Sequence, residues 1–160
     1  MKKTVIVPAL LLLSAARAAD PPQLQEGLWE IRGQSIENPG NKTTDFTYRL
    51  CRNHAYDKAM DDLVKHAKGC STKFDSLGGG HYASASRCTV AGIVIVSKGS
   101  YTYESATSTR LESTATYQPA FHGKTDETLT QDQKYVGNCP AGMNPGDRIM
   151  PGGILQRYEK

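Results

Sequence analysis

Residues 70–88 read Cys70-Ser71-Thr72-Lys73-Phe74-Asp75-Ser76-Leu77-Gly78-Gly79-Gly80-His81-Tyr82-Ala83-Ser84-Ala85-Ser86-Arg87-Cys88. Thr72 and Phe74 stand at alternate positions on one side of the glycines, and Tyr82, Ser84 and Ser86 on the other. A period of two on both sides of a run of turn residues is the pattern of a β-hairpin, here folded about Gly79. In that register Thr72 faces Ser86, Phe74 faces Ser84 and Cys70 faces Cys88, opposed on one face as a cross-strand disulfide requires. Cys51 and Cys139, the other two cysteines, are then left for each other. Zinc is the rival use of four cysteines. Structural zinc sites bring their ligands in close pairs, whereas these are scattered and none has a histidine at ligand spacing. The two bridges differ in weight: loop-closure entropy gives about 4 kcal/mol for the long Cys51–Cys139 loop and about 3 kcal/mol for the hairpin bridge.

The same period extends outward from the hairpin. Trp29 and Ile31 alternate with Glu30 and Arg32, and Phe46, Tyr48 and Leu50 alternate with Thr47 and Arg49, with Asn38-Pro39-Gly40-Asn41 as the turn between. The period then changes to that of a helix. Tyr56, Ala59, Met60, Leu63, Val64 and Ala67 recur at helical spacing, Asn53 is placed to cap the start, and Gly69 to end it. This predicts a helix over about residues 54–68 whose apolar stripe is buried on the sheet, with Asp57, Asp61 and Lys65 in water. After the hairpin, Ile93 to Glu104 with a bulge at Gly99, Arg110 to Gln118, and Glu127 to Val136 read as strands. The expected fold is mainly β, a curved antiparallel sheet or partly open barrel of about seven strands with one helix inserted after the second strand.

The chain has 160 residues, with 19 Lys+Arg against 16 Asp+Glu. Met1-Lys2-Lys3, the apolar run Thr4 to Leu13, and Ala16-Arg17-Ala18 have the form of a signal peptide cleaved after Ala18. The apolar run is short for a bilayer core, which needs roughly 20 residues, so no membrane span is expected after processing. Export by the general secretory route to the periplasm fits the even cysteine count. Without Lys2, Lys3 and Arg17 the formal charge falls to zero. A neutral chain lacks the cationic surplus that nucleic-acid binding or a membrane surface demands. The remaining roughly 140 residues leave little room for repeated strand-helix-strand units of about 30 residues each. Residues 19–26 read as a Pro-rich, unpacked lead-in, residues 27–139 as the β-rich domain, and residues 140–160, with Pro140, Pro145 and Pro151, as an irregular C-terminal arm.

Several of these features occur together in one known family. The opening Gly27-Leu28-Trp29-Glu30, a cysteine closing the second strand, two more around a hairpin, and the closing Gly137-Asn138-Cys139-Pro140 with the GMNPGD run after it resemble the small exported bacterial proteins catalogued as domain of unknown function thirty-six seventeen. That resemblance implies an envelope β-protein of unestablished activity and supplies no catalytic residues.

Candidate chemistry therefore rests on the residues themselves. His54, His66, His81 and His122 form no H-x-x-x-H pair, and a solvated surface is the simpler place for each. Asp57, Asp61 and Asp62 suggest a cation site, but Asp61 stands four before Lys65 and Lys58 four before Asp62, the spacing of ion pairs on a solvated helix face. Ser84, Ser86, Ser105 and Ser113 lack a nucleophile elbow, and Gly78-Gly79-Gly80 lacks the Lys-Ser/Thr tail of a phosphate loop. No catalytic residue, metal ligand or cofactor site is assigned. The aromatic residues are more informative: Trp29, Phe46, Tyr48, Tyr82, Tyr101, Tyr103, Tyr117 and Tyr135 all fall on predicted strands. Ordinary sheet packing accounts for such residues. If several share a concave face, they also form an apolar pocket with hydroxyls to orient a ligand. The expected function is non-enzymatic binding of a small apolar ligand, lipid or envelope component. The alternative is an interaction or structural module of the cell envelope, partnered by an envelope protein through a sheet edge or the C-terminal arm. A cavity left unfilled by Met60, Leu63 and Val64 distinguishes the first from the second.

Overall fold

A computed structural model describes residues 21–159; the predicted signal peptide lies outside them. The strands are β1 (Gly27–Asn38), β2 (Lys42–Arg52), β3 (Cys70–Gly78), β4 (His81–Val90), β5 (Ile93–Ser105), β6 (Ser108–Phe121), β7 (Lys124–Gly137) and two short ones, β8 (Arg148–Ile149) and β9 (Leu155–Gln156). The helix α1 spans His54–Lys65. All the strands belong to one antiparallel sheet in the order β3-β4-β5-β6-β7-β1-β2-β8-β9, open rather than closed into a barrel.

Most large apolar residues of the long strands stand at alternate positions, residues 93–96 of β5 being a continuous run, and the registers stack the alternate positions on one face. Ile31 lies opposite Tyr48 in β2 and Gln133 in β7. Thr109 lies opposite Gln133, and Tyr103 opposite Thr109. One row further along, Tyr82, Tyr101, Leu111 and Gln131 are neighbours across four strands. The other face carries Glu30, Arg32, Lys98, Arg110 and Asp132, and its charges pair across strands: Arg110 of β6 reaches Asp132 of β7 at 2.9 Å and Arg49 of β2 reaches Glu30 of β1 at 3.6 Å. One wet face and one apolar face is the usual economy of an antiparallel sheet.

The connection from β2 to β3 gives the sheet its shape, because these two strands lie at opposite ends of the seven long ones. Six inter-strand steps of a flat sheet come to about 29 Å. The helix that joins them has 12 residues, about 18 Å at the usual rise. It is nevertheless tied to Arg52 of β2 through Asp57 and touches β3. The sheet therefore curls toward the helix, which crosses its concave face as a chord.

The tightest packing sits at one side of that face. Trp29 is 0 % and Ile31 1 % exposed, and Leu24, Leu28, Leu50 and Cys51 are buried with them, whereas on the far strands only Tyr82 is. Complete burial of side chains such as Trp29 and Ile31 is worth about 1.5–3 kcal/mol each. The two disulfides brace opposite flanks, Cys51–Cys139 beside the core and Cys70–Cys88 across the β3–β4 hairpin. Cys70 opposes Cys88 in the register read from the glycine run, and Gly78, Gly79 and Gly80 all have positive φ, which glycine adopts without steric cost.

Four expectations need correction. The lead-in is anchored at Leu24 and Gln25: Leu24 is buried, Gln25 N–H donates to the Ala106 carbonyl at 2.8 Å, and Trp29 Nε1 donates to the Gln25 carbonyl at 2.8 Å. Gly99 is in unbroken register with Ser84 and Ser113, and the irregularity of β5 lies between Tyr103 and Ser105 instead. A Cβ at Gly99 would stand 2.9 Å from Ser84 Oγ, so close approach of neighbours explains this glycine. The C-terminal arm is built into the sheet: β8 pairs with β2 and β9 with β8. Asp147, 1 % exposed, clamps the arm by accepting hydrogen bonds from Asn144 N–H at 2.8 Å, Tyr158 N–H at 2.9 Å and Arg157 at 2.7 Å. Finally, the helix ends at Lys65 and buries none of its residues; Leu63 is 62 % and Val64 45 % exposed.

Candidate binding site between the helix and the sheet

The helix starts as its sequence dictates: the Asn53 side chain accepts from Tyr56 N–H at 2.8 Å, a cap typically worth about 1 kcal/mol. Its orientation is set from the sheet. Arg52, 13 % exposed in its side chain, places its guanidinium 2.9 Å from Asp57, 3.0 Å from Gln133 Oε1 and 5.0 Å from the centre of the Trp29 ring. On the arm side, Tyr158 meets Tyr56 edge to face with ring centres 5.5 Å apart. Held this way, the helix turns Met60, Asp61, Val64 and Lys65 toward the sheet and meets it at β3, where Thr72 Oγ1 lies 3.5 Å from the Val64 carbonyl oxygen. Of the charged residues expected in water, Asp61 and Lys65 are exposed even as they border the gap, and Asp57 is half-buried against Arg52, while Leu63 lies on the outer side.

Two adjoining cavities fill the gap. The first, about 500 Å³, lies between Met60 and Val64 of the helix and Phe74, Tyr82, Tyr101 and Tyr103 of the sheet. The second, about 620 Å³, continues past Met60 and Tyr103 to Tyr48, Gln133 and Arg148. Both are within the range of about 300–1,000 Å³ common for small-molecule sites. Burial pushes the Tyr103 hydroxyl up to about 12, with neighbouring Tyr101 adding to the effect, and also raises Tyr101 and Tyr48. These phenols stay protonated and able to donate throughout the physiological range.

The registers bring all eight strand aromatics to the concave face, but only some to the cavities. Tyr82, Tyr101 and Tyr103 wall the first, and Tyr48 and Tyr103 the second. Trp29 is sealed in the core, with Tyr135 at 6.3 Å. Phe46 lies across Gly33 and stacks on Tyr48 with centres 6.2 Å apart. Tyr117 is at the far end, where its hydroxyl donates to Glu127 at 3.0 Å. Glu127 also accepts from Ser35 at 2.6 Å and Lys124 at 2.8 Å, and Lys124 reaches Glu37 at 3.1 Å. Burial disfavours the Glu127 charge, but the bonds from Lys124, Ser35 and Tyr117 outweigh it and hold this carboxyl below its ordinary value. Both Glu127 oxygens accept hydrogen bonds from this sheet's own side chains, which makes the cluster a brace for the sheet.

Sequence reasoning missed Phe74, Tyr56, Arg52, Gln133 and Arg148 as cavity residues. Phe74 was visible, since its register partner Ser84 is on the Tyr82 face. Arg148 carries no sequence signal, because it reaches the site only through the pairing of β8 with β2. The histidines do not converge: His54 Nε2 is 2.9 Å from the Leu24 carbonyl, His81 is bonded to Thr102, and His122 packs on Phe121. Among the described residues no group of three or more His, Cys, Asp or Glu is placed to hold a metal ion, and no helix is long and apolar enough to cross a membrane.

A search of curated proteins finds no match to the sequence. A family model does match, over residues 24–139, so that its span runs from buried Leu24 to the second cysteine of the long disulfide and covers every long strand and the helix. The chain therefore belongs to the family described as protein of unknown function (DUF3617).

Proposed function

We propose that this is an exported, periplasmic binding protein that holds a small apolar molecule between the helix and the concave face of the sheet. The observation that carries the reading is the unfilled gap: Met60 and Val64 line the first cavity without closing it, and Leu63 points outward. A helix kept only for stability would gain by burying that stripe, since tertiary packing supplies most of a short helix's stability. Here Arg52 and Tyr158 hold the first turn of the helix through Asp57 and Tyr56, and Leu63 and Val64 stay exposed. The interaction-module alternative needs an exposed arm and a filled cavity; residues 151–159 are exposed, but Met60 and Val64 leave the first cavity unfilled.

The test uses Nile red, a neutral dye that brightens in apolar surroundings. Wild-type protein is expected to bind it, and Val64→Trp, which fills the first cavity from an exposed helix position, to weaken binding tenfold or more with little change in melting temperature. Thr72→Trp, filling the same cavity from the sheet, should do the same. Absence of dye binding to wild type, or undiminished binding by both variants, would overturn the reading.

A further inference from the structure

Resting on that binding reading, we infer that the bound molecule is a single-chain amphiphile with one negative charge, of the long-chain carboxylate class, its tail in the first cavity and its carboxylate at Arg148 in the second.

The two cavities differ in chemistry and are continuous past Met60 and Tyr103, which line both. The first is walled mainly by Met60, Val64, Phe74 and the three tyrosines, its one acid and one base, Asp61 and Lys65, being paired with each other, and so suits a hydrocarbon tail. The second is ringed by four cations, Arg52, Lys58, Lys65 and Arg148, and three carboxylates, Asp57, Asp61 and Asp62. Three of the cations are matched: Arg52 to Asp57 at 2.9 Å, Lys58 to Asp62 at 2.6 Å and Lys65 to Asp61 at 2.6 Å. Arg148 has no carboxylate partner among the described residues; its guanidinium lies over the Tyr48 ring, 5.3 Å from the centre. The surplus is thus one positive charge, on the side chain whose planar fork best suits a carboxylate.

The hydroxyls agree with an anionic head. Tyr48 and Tyr103 line the second cavity, and neither hydroxyl has a hydrogen-bond partner among the described residues, leaving two donors for an acceptor brought by a ligand. A cationic head would face Arg148 without a free carboxylate to answer it. A doubly charged head would exceed the single unmatched cation and meet Asp57, Asp61 and Asp62 at close range. A neutral chain would leave Arg148 and both hydroxyls unused.

Calorimetric titration with dodecanoate, dodecanol, dodecyl phosphate and dodecyltrimethylammonium separates these cases. Dodecanoate is expected to bind at least tenfold more tightly than the other three, and less tightly as salt is raised. Arg148→Gln, at an exposed position, should abolish the preference over dodecanol while leaving dodecanol binding and the melting temperature unchanged. Tightest binding of the phosphate or the ammonium compound, equal binding of dodecanoate and dodecanol, or an equal loss for both in Arg148→Gln would overturn the head-group assignment. If Nile red still binds wild type and is lost in Val64→Trp, the apolar site stands although the head group is wrong. If Nile red and all four amphiphiles fail to bind, the binding reading itself falls.

Discussion

At the scale of single residues, space decides more than identity. Gly33 sits in β1 between Ile31 and Ser35, and the Phe46 ring crosses directly over it: a Cβ there would stand 2.4 Å from Phe46 Cζ and 2.6 Å from the Thr130 carbonyl oxygen. The backbone oxygen has nowhere to go, so Gly33→Ala is expected to destabilise by about 1–3 kcal/mol through overpacking, measured by urea denaturation. Leu63 is the opposite case. Its place in the apolar stripe predicts a core residue and a loss of about 2–5 kcal/mol on truncation, but at 62 % exposure Leu63→Ala should stay within about 0.5 kcal/mol of wild type. The sequence carries the period of that stripe and not what lies opposite it. A helix facing a cavity and a helix facing a packed floor have the same pattern, which is why the strand aromatics were legible as a face while the helix side of the site was not.

At the scale of elements, the C-terminal arm shows how far short-range pattern reaches. Strands of seven residues or more announce themselves by period, whereas β8 and β9 have two residues each and no period to read. Their place is fixed instead by Asp147. Hydrogen bonds from the backbone of Asn144 and Tyr158, then the Arg157 guanidinium, hold its carboxyl below the ordinary 3.8. A carboxyl lowered by folding contributes stability above its unfolded value, and that stability is lost as pH falls through the folded value. The arm should therefore stay docked at neutral pH and loosen only in acid, below about pH 4. The Tyr158 amide resonance, followed by NMR during acidification, should move to its unstructured position while those of β1 and β7 hold. Asp147→Asn should bring the arm loosening to neutral pH. Because Arg148 rides on this arm, a dodecanoate preference should fade in that variant along with the Tyr158 contact to the helix.

At the scale of the whole molecule, the sheet is continuous but its core is not centred. Hydrophobic burial is concentrated where β1, β2 and the lead-in meet, while β3, β4 and β5 present a half-buried face to a cavity. Backbone pairing alone is a weak source of stability, since each hydrogen bond nets only about 1 kcal/mol against water. Cooperative strength should thus fall from the β7-β1-β2 side toward the β3 edge, where the Cys70–Cys88 bridge compensates by closing the most exposed hairpin. Native-state hydrogen exchange is expected to show the slowest amides in β1 and β7 and markedly faster exchange in α1, β3 and β4 through local opening. The two bridges then act differently on removal. Cys139→Ser should lower global stability more, because its loop spans 88 positions against 18 for the hairpin, whereas Cys88→Ser should mainly quicken exchange in β3 and β4. Saturation with Nile red should slow exchange in α1, β3 and β4 toward the rate of the core strands, since a molecule in the first cavity supplies the contacts that those elements lack. Uniform protection across all strands before the dye is added would contradict the off-centre core from which this gradient is derived.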